Sequence, residues 1–216
     1  RLAERAVESA RPADLLLAGP PYYYQATLTR ERLTGHLRDI ASACAGVPLL
    51  YYHIPRMSHF DPGVDGLSEA IASAPLAGIK DSDGVHEFQR RVRERHGPAS
   101  FLYLNGNIEA VLRSWNELQG QGAILGLAAA LPFPCAMLWK KWRAGEIDDT
   151  RLLHTSLCSL WSVVKRYGNA GIRALLAMLA PLKAETLAPG RRPFAEVSEA
   201  GRTEIAEALR ASGFGA

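Results

Sequence analysis

The sequence has 216 residues, of which 48% are hydrophobic and 22% are charged, and its formal net charge is +3. This composition is typical of a globular protein with a substantial core, and the length fits one domain. No apolar run reaches the roughly 18 to 20 residues that a membrane helix needs, and acidic residues interrupt the short basic clusters. We therefore expect no membrane span and no nucleic-acid partner.

The beginning of the chain also lacks the continuous apolar stretch of a secretory signal, so we expect a cytoplasmic protein. The three cysteines, Cys44, Cys135 and Cys158, have neither disulfide nor metal-ligand spacing. Buried free thiols are the simplest interpretation, and no metal site is predicted.

Short apolar runs and amphipathic stretches alternate along the first part of the chain. Apolar runs without polar alternation are typical of parallel strands buried on both faces, and their alternation with helices indicates βαβ units. The predicted strands are 14–18, 47–52, 76–80, 100–104 and 122–127, and the predicted helices between them are 28–44, 66–73, 85–96 and 107–120.

After the last predicted strand the pattern becomes entirely helical, with helices at 133–145, 149–167, 170–180 and 195–212. We therefore predict an α/β fold, with a partial barrel as the catalytic domain in residues 1–145 and a helical extension in residues 146–216. A complete (β/α)8 TIM barrel takes about 250 residues, so about five of its eight units are expected here. A five-stranded open α/β domain is the structural alternative.

The candidate reactive side chains stand at the ends of the predicted strands. The third strand ends on Lys80, and the second ends on Tyr52. The period of two predicts that Lys80 shares a face with Gly78 and Leu76, where the small glycine leaves room for a ligand, and that Tyr52 shares a face with Leu50. Since the two strands are neighbours, we expect Lys80 and Tyr52 to point into one pocket.

This pair of side chains can support imine chemistry. Apolar surroundings disfavour an ammonium ion and thus favour the neutral amine that attacks a carbonyl group. A tyrosine hydroxyl can relay protons while bonds form and break. The residue that follows the tyrosine, His53, could act as a base, but after a tyrosine at a strand end it is expected to face the helix layer or to pack structurally.

The segment YHIP at 52–55, followed by GIKDS at 78–82, resembles the paired motifs of the dihydrodipicolinate synthase / N-acetylneuraminate lyase family. The resemblance covers essentially the whole chain. It implies the later part of a (β/α)8 barrel with C-terminal helices, a homotetramer, and a class I aldolase that binds pyruvate as a covalent imine without a cofactor. It also implies that Lys80 forms the imine and Tyr52 moves protons.

The same resemblance implies the residues around the substrate. Tyr23 matches the tyrosine that the family contributes at a subunit interface, and the backbone at Gly106 and Ile124 lines the pyruvate pocket. Glu109 matches one acidic residue that holds the sugar hydroxyls in the lyase branch. The family's pyruvate-carboxylate loop, a Gly-Thr-Thr-Gly-Glu-like segment, has no counterpart before Arg1. We therefore expect either a fragment of a longer protein or missing strands that are supplied from elsewhere.

The second substrate is less closely specified. The synthase branch usually has an arginine two residues after the motif proline, where this chain has Met57, and its arginine stands one residue earlier at Arg56. The Tyr-His-Ile-Pro wording is closer to the N-acetylneuraminate lyases. We predict a carbon–carbon lyase of that branch, provided that the intact protein contains the missing N-terminal segment. A dihydrodipicolinate synthase or another 2-oxo acid aldolase is the alternative. A non-catalytic barrel remnant that serves as an interaction scaffold is the rival hypothesis.

Overall fold

The structure, a computed structural model, describes residues 13–21, 25–44, 46–179, 190 and 195–215. It divides into two compact units, residues 1–124 and 125–216. The predicted division at residue 145 into a catalytic domain and an extension stays a prediction. Tyr23 lies outside the described residues. None of the described helices combines the length and the apolar character that crossing a membrane requires.

The first unit is built around a five-stranded parallel sheet. Its strands are β1 (Leu16–Ala18), β2 (Leu49–His53), β3 (Leu76–Asp81), β4 (Leu102–Asn105) and β5 (Gly122–Ala123), and they lie side by side in chain order. Its helices are α1 (Arg30–Ala43), α2 (Pro55–Ser58), α3 (Gly63–Ser73), α4 (His86–Arg95) and α5 (Val111–Leu118). Doubly wound open sheets reverse their strand order at a switch point. The sequential order therefore favours a partial barrel over the open alternative.

One face of the sheet packs against the helices. Tyr51, Ile79 and Tyr103 project from three adjacent strands into a core that they share with helix residues such as Leu33 and Leu67. Strand residues of the opposite parity, including Tyr52 and Lys80, therefore lie on the other face. This division into two faces sets the chemistry described below.

The prediction that Leu76, at the start of β3, shares a face with Lys80 is wrong. The register pairs Leu49 with Leu76 but Leu50 with Gly78, so β3 has one extra residue opposite β2. This irregularity moves Leu76 into the helix-facing core. A Cβ atom on Gly78 would lie 2.2 Å from the Leu102 carbonyl oxygen, so the glycine allows β4 to approach closely rather than leaving room for a ligand.

Two other elements differ from the prediction. Strand β5 ends at Ala123 rather than at residue 127, and a 3-10 helix follows at Gly126–Ala129. The two glycines of this run weaken a strand, because they contribute no side chain to pack. The short helix α2 was not predicted. It begins with a proline, and the residue that follows it, His59, adopts a left-handed conformation with φ of 52°.

The second unit is helical, as predicted. It contains α6 (Pro132–Ala144), α7 (Ile147–Val164), α8 (Gly168–Leu179) and α9 (Glu199–Ala211). Gly145 ends α6 with φ of 76°, a conformation that glycine adopts without strain, and the Ser198 side chain caps the start of α9. The buried side chains of this unit include Leu138, Leu157, Leu160, Leu175 and Ile205.

Candidate active site

Lys80 and Tyr52 are in direct contact at the carboxyl ends of two neighbouring strands. They are partners in the β2–β3 register, and Nζ of Lys80 lies 3.9 Å from the centroid of the Tyr52 ring. Lys80 is only 9% exposed. The predicted proximity of the two side chains is therefore confirmed. The ring face, rather than the hydroxyl group, is the part of Tyr52 that contacts the amine.

The Tyr52 hydroxyl has a polar neighbour, Ser82, which directly follows β3. The Ser82 hydroxyl donates a long hydrogen bond of 3.5 Å to it. Gly106 makes room for this serine, because a Cβ atom there would lie 2.1 Å from the Ser82 Oγ atom. The Gly106 N–H also donates to the Asp81 carbonyl oxygen at 2.6 Å. Gly106, which was predicted to line the substrate pocket, thus holds the ends of β3 and β4 together, and its pocket-lining role stays a prediction.

On the helix-facing side of the same strand ends lies a second pair, His53 and Asp81. These residues are also partners in the register, and His53 Nδ1 lies 2.8 Å from Asp81 Oδ1. Their exposed fractions are 1% and 0%. The His53 ring stacks on Phe88 of α4, with 4.2 Å between centroids, and its Nε2 atom lies 3.3 Å from Asp61 Oδ1. The prediction that His53 faces the helices is confirmed.

Asp81 is the centre of a buried hydrogen-bond network. In addition to His53, the Tyr103 hydroxyl and the Gln89 side-chain amide each donate to its carboxylate at 2.8 Å. The backbone N–H groups of Asp83 and Gly84 donate at 3.1 and 3.3 Å. A buried carboxylate is tolerated when such donors replace the water that it has lost.

The charges of this network follow from its geometry. Burial lowers the pKa of His53, but the hydrogen bonds and negative charges of Asp61 and Asp81 outweigh that effect and raise the pKa to about 9. Burial raises the pKa of Asp81, but hydrogen bonds from His53, Gln89 and Tyr103 and the charge of His53 hold it below its usual value. The hydrogen bond from His53 lowers the pKa of Asp61. At neutral pH His53 is thus an imidazolium between two carboxylates.

Ile124 and Glu109, two further predicted site residues, lie beyond the strand ends. Ile124 follows β5 directly and is 40% exposed, and its N–H donates to the Asn105 carbonyl oxygen at 2.9 Å. Glu109 is exposed in the 3-10 helix Ile108–Ala110, where its N–H is capped by the Asn107 side chain at 3.0 Å. Their substrate-binding roles stay predictions, as do those of Gly106 and Tyr23.

The segment after β2 approaches the loop after β3. Arg56, in α2, is 76% exposed in its side chain and lies 3.9 Å from the Asp83 carboxylate, which follows β3. Met57 beside it is 54% exposed. The arginine therefore contacts the loop after β3, and the left-handed His59 ends the turn. Such backbone positions are often associated with functional loops.

The Asp81 network is the feature that the sequence reasoning missed. The signal was available, because adjacent residues at a strand end point to opposite faces. If Tyr52 and Lys80 share one face, then His53 and Asp81 must share the other. A histidine and an aspartate on neighbouring strands would then be expected to pair.

Comparison with known proteins places the chain in context. A model of the dihydrodipicolinate synthetase family matches residues 2–212. A 4-hydroxy-tetrahydrodipicolinate synthase of Gluconacetobacter diazotrophicus is 30% identical over 203 residues, which cover 93% of this chain and 65% of that protein. The chain thus spans just under two thirds of the length of this curated relative.

Solved structures share the fold. The YagE protein of E. coli K12, of the dihydrodipicolinic acid synthase family and in complex with pyruvate, matches with a TM-score of 0.82 and 18% identity, covering 94% of this chain and 67% of that one. A variant of the Sulfolobus solfataricus 2-keto-3-deoxygluconate aldolase matches with a TM-score of 0.83 and 14% identity, covering 98% and 68%. These likenesses establish the barrel type of α/β fold.

Proposed function

The chain belongs to the dihydrodipicolinate synthetase family, and we propose that it is a class I aldolase in which Lys80 forms an imine with pyruvate. The contact between the Lys80 amine and the Tyr52 ring, 3.9 Å from the centroid, carries the proposal. It joins a nearly buried primary amine to a proton-carrying side chain at the carboxyl ends of parallel strands, where βα barrels place their reactive groups.

The proposed reaction follows ordinary amine chemistry. The neutral Lys80 amine attacks the C2 carbonyl carbon of pyruvate and forms a carbinolamine, which loses water to give a protonated imine. In the cleavage direction, the imine of a longer 2-oxo acid accepts the electron pair of the breaking C3–C4 bond. The C4 hydroxyl gives its proton to Tyr52, and C4 departs as the carbonyl carbon of an aldehyde. The resulting enamine takes a proton at C3, and water then releases pyruvate from the lysine.

Tyr52 has two parts that can contribute to this sequence. Its hydroxyl group is the proton carrier for carbinolamine dehydration and for the aldol step. Its ring face can stabilise the positive charge of the protonated imine by a cation–π interaction, as it does for the ammonium form of Lys80. Ser82, which donates to the Tyr52 hydroxyl, can keep that hydroxyl oriented.

Different observations support different second substrates beside pyruvate. The Tyr-His-Ile-Pro segment supports an N-acetylneuraminate-like sugar acid, with Glu109 as a contact to its hydroxyl groups. The name of the curated relative instead supports a synthase-type reaction, and the name of the Sulfolobus structure supports 2-keto-3-deoxygluconate. Pyruvate is common to these possibilities. We propose that Gly106 and Ile124 line the pyruvate site and that Tyr23 lies at a subunit interface. We also propose a cytoplasmic homotetramer. Light scattering would measure the oligomeric state.

Borohydride reduction in the presence of pyruvate tests the imine directly. We expect the protein to gain the mass of one reduced pyruvate adduct, and peptide mapping to place it on Lys80. Lys80→Ala should form no adduct, whereas Lys140→Ala, which removes an exposed lysine of α6, should be trapped like the wild type. A folded full-length protein without an adduct would refute the proposal and favour the interaction scaffold.

A panel of 2-oxo acids then identifies the second substrate. N-acetylneuraminate, 2-keto-3-deoxygluconate and 4-hydroxy-2-oxoglutarate would be supplied in turn, and pyruvate release would be measured. Pyruvate release from none of them, in a protein that forms the adduct, would direct the search to the condensing reaction and to pyruvate consumption with an aldehyde.

A further inference from the structure

Two consecutive pairs of residues tie the ends of β2 and β3 together. The register joins Tyr52 with Lys80 and His53 with Asp81. Since successive side chains of a strand point to opposite faces, the first pair lies on the face away from the helices and the second lies among them. The proposed reactive pair is therefore separated from a buried charged pair by a single peptide unit on each strand.

Burying two charged side chains costs desolvation free energy that an apolar pair would not. Two charges removed from water must regain their solvation through close contact and additional hydrogen bonds, and apolar residues of similar volume often stabilise a fold equally well. Here the contact is 2.8 Å, and four further donors complete the Asp81 carboxylate. What the pair adds over apolar packing is a defined register between the two strand ends.

We propose that His53 and Asp81 are positioning residues, which hold the end of β2 against the end of β3 and thereby keep Tyr52 in place on Lys80. This inference rests on the proposed function, because it presupposes that Lys80 reacts with pyruvate. The backbone supports it, since the Ser82 N–H donates to the His53 carbonyl oxygen at 2.9 Å and extends the pairing past Lys80. Neither residue needs to touch the substrate.

Small displacements at this point are consequential. Reacting groups must approach within a narrow range of distance and angle, and a shift of about 1 Å can cost about 100-fold in rate. If the buried pair were lost, the ends of β2 and β3 would keep their backbone hydrogen bonds but lose the side-chain contact that fixes their separation. The binding of pyruvate would change less than the rate of its reaction.

The protonation of His53 connects this geometry to pH. The groups that face its ring are the Asp61 and Asp81 carboxylates and the aromatic rings of Phe88 and Tyr51. With His53 charged, the contact to Asp81 is ionic. Its loss of a proton at alkaline pH, near its pKa of about 9, would leave a weaker neutral hydrogen bond at the same position.

The test compares the rate of borohydride-trapped imine formation, as a function of pyruvate concentration and pH, in a set of variants. His53→Leu and Asp81→Asn remove the ionic contact. His53→Asn keeps one N–H donor toward Asp81 without the charge, and Asp61→Asn removes only the outer carboxylate. His96→Asn is the matched control, since His96 is a half-buried histidine of the same unit that pairs with Ser68 at 3.0 Å.

We expect His53→Leu and Asp81→Asn to lower the maximal trapping rate by about 10- to 100-fold, with the half-saturating pyruvate concentration changed by less than about threefold. His53→Asn should recover part of the rate, and its rate should no longer follow the wild-type decline near pH 9. His96→Asn should react like the wild type. Purely structural damage would instead lower the melting temperature of the variants and leave the rate of the folded fraction intact.

The inference is overturned if His53→Leu and Asp81→Asn are folded by circular dichroism and trap pyruvate at the wild-type rate. Should both fail to fold, His53→Asn and Asp61→Asn decide, because wild-type rates and wild-type pH profiles in both would equally overturn it. An absent adduct in the wild type would refute the proposed function itself, an outcome distinct from either of these.

Discussion

Nζ of Lys80 lies over the face of the Tyr52 ring, 3.9 Å from its centroid, while the Tyr52 hydroxyl accepts from Ser82. The two functions that we assign to Tyr52 thus reside in different parts of one side chain. The ring stabilises a cation at the lysine nitrogen, and the hydroxyl carries protons. This separation makes the two functions independently testable.

Tyr52→Phe should keep the ring contact and remove the proton carrier. We expect the equilibrium fraction of trapped imine to stay near that of the wild type, while pyruvate release from a cleavable 2-oxo acid slows by about 100-fold or more. Tyr52→Leu should lower the imine fraction by less than the about 0.5 to 2 kcal/mol of a full cation–π contact, because the ring also stabilises the ammonium form of free Lys80. Adduct mass at equilibrium and a pyruvate-release assay measure the two effects.

The control for this comparison is Tyr167→Phe, which removes a tyrosine hydroxyl that donates to Glu204 in the helical unit. It should change neither measurement. Equal turnover in Tyr52→Phe and the wild type would show that another group carries the proton.

The charge of His53 predicts how stability varies with pH. Its pKa is about 9 in the folded protein, because the carboxylates of Asp61 and Asp81 outweigh its burial, and about 6.5 in the unfolded chain. A raised pKa contributes stability that is complete below about pH 6.5 and is lost as the pH rises toward about 9. The lowered pKa values of Asp61 and Asp81 act oppositely, and their contribution is lost as the pH falls below about 4.

We therefore expect the difference in unfolding free energy between the wild type and His53→Asn to shrink by about 3 kcal/mol from pH 6 to pH 9.5. Urea unfolding followed by circular dichroism at several pH values measures it. His96→Asn provides a control of opposite sign, because burial and the nearby Arg95 charge lower the pKa of His96. Its difference from the wild type should change only below about pH 6.5. A pH-independent difference for His53→Asn would contradict an ionised pair.

Local patterns in the sequence were sufficient to predict the parallel α/β fold and the contact between Lys80 and Tyr52. Both follow from short-range rules, namely the period of two in a strand and the adjacency of consecutive strands. The position of Leu76 was not predictable in this way. It depends on the extra residue in β3, which only the register with β2 reveals.

Contacts made by loops could not be predicted from sequence patterns. Asp61 approaches His53 because the left-handed His59 turns the chain back toward the strand end. No periodicity encodes a single non-glycine residue in that conformation, which costs energy and must be held by its surroundings. The pairing of Asp81 with His53 needed only the strand parity, whereas the third member of the group needed the folded loop.

We expect a single methyl group added at Gly78 to lower the stability of the protein strongly. A Cβ atom there would lie 2.2 Å from the Leu102 carbonyl oxygen and 2.9 Å from its carbonyl carbon, and backbone atoms cannot rotate away as a side chain can. We expect Gly78→Ala to lower the free energy of unfolding by about 2 to 4 kcal/mol, as overpacking against backbone does. Urea unfolding measures the change.

The matched control is Gly35→Ala in α1, where a Cβ atom would meet nothing within 4 Å. Because alanine favours the helix over glycine, this variant should be more stable by about 1 kcal/mol. If Gly78→Ala were as stable as the wild type, β4 would have to lie further from β3 than the structure places it.

We expect the buried guanidinium group of Arg93 to stabilise the amino-terminal side of the sheet, because it donates hydrogen bonds to backbone carbonyl groups there. Its Nε atom donates to the Leu118 carbonyl oxygen at 2.8 Å, and Nη1 donates to that of Phe101 at 2.7 Å. Nη2 donates to the Gln119 carbonyl oxygen at 3.2 Å and to the Gln121 side chain. One side chain of α4 thus joins the end of α5 to the segment that enters β4.

Replacing Arg93 by Met keeps most of the apolar stem but leaves these buried acceptors without their donor. Each unsatisfied buried group costs about 1 to 3 kcal/mol, so we expect Arg93→Met to lose about 3 kcal/mol or more of unfolding free energy. Arg93→Lys should lose less, because an ammonium group can satisfy some of the same acceptors. Arg91→Met, on the exposed side of α4, should change the stability by less than about 0.5 kcal/mol. Urea unfolding compares the three, and equal stability of Arg93→Met and Arg91→Met would mean that water replaces the guanidinium at no cost.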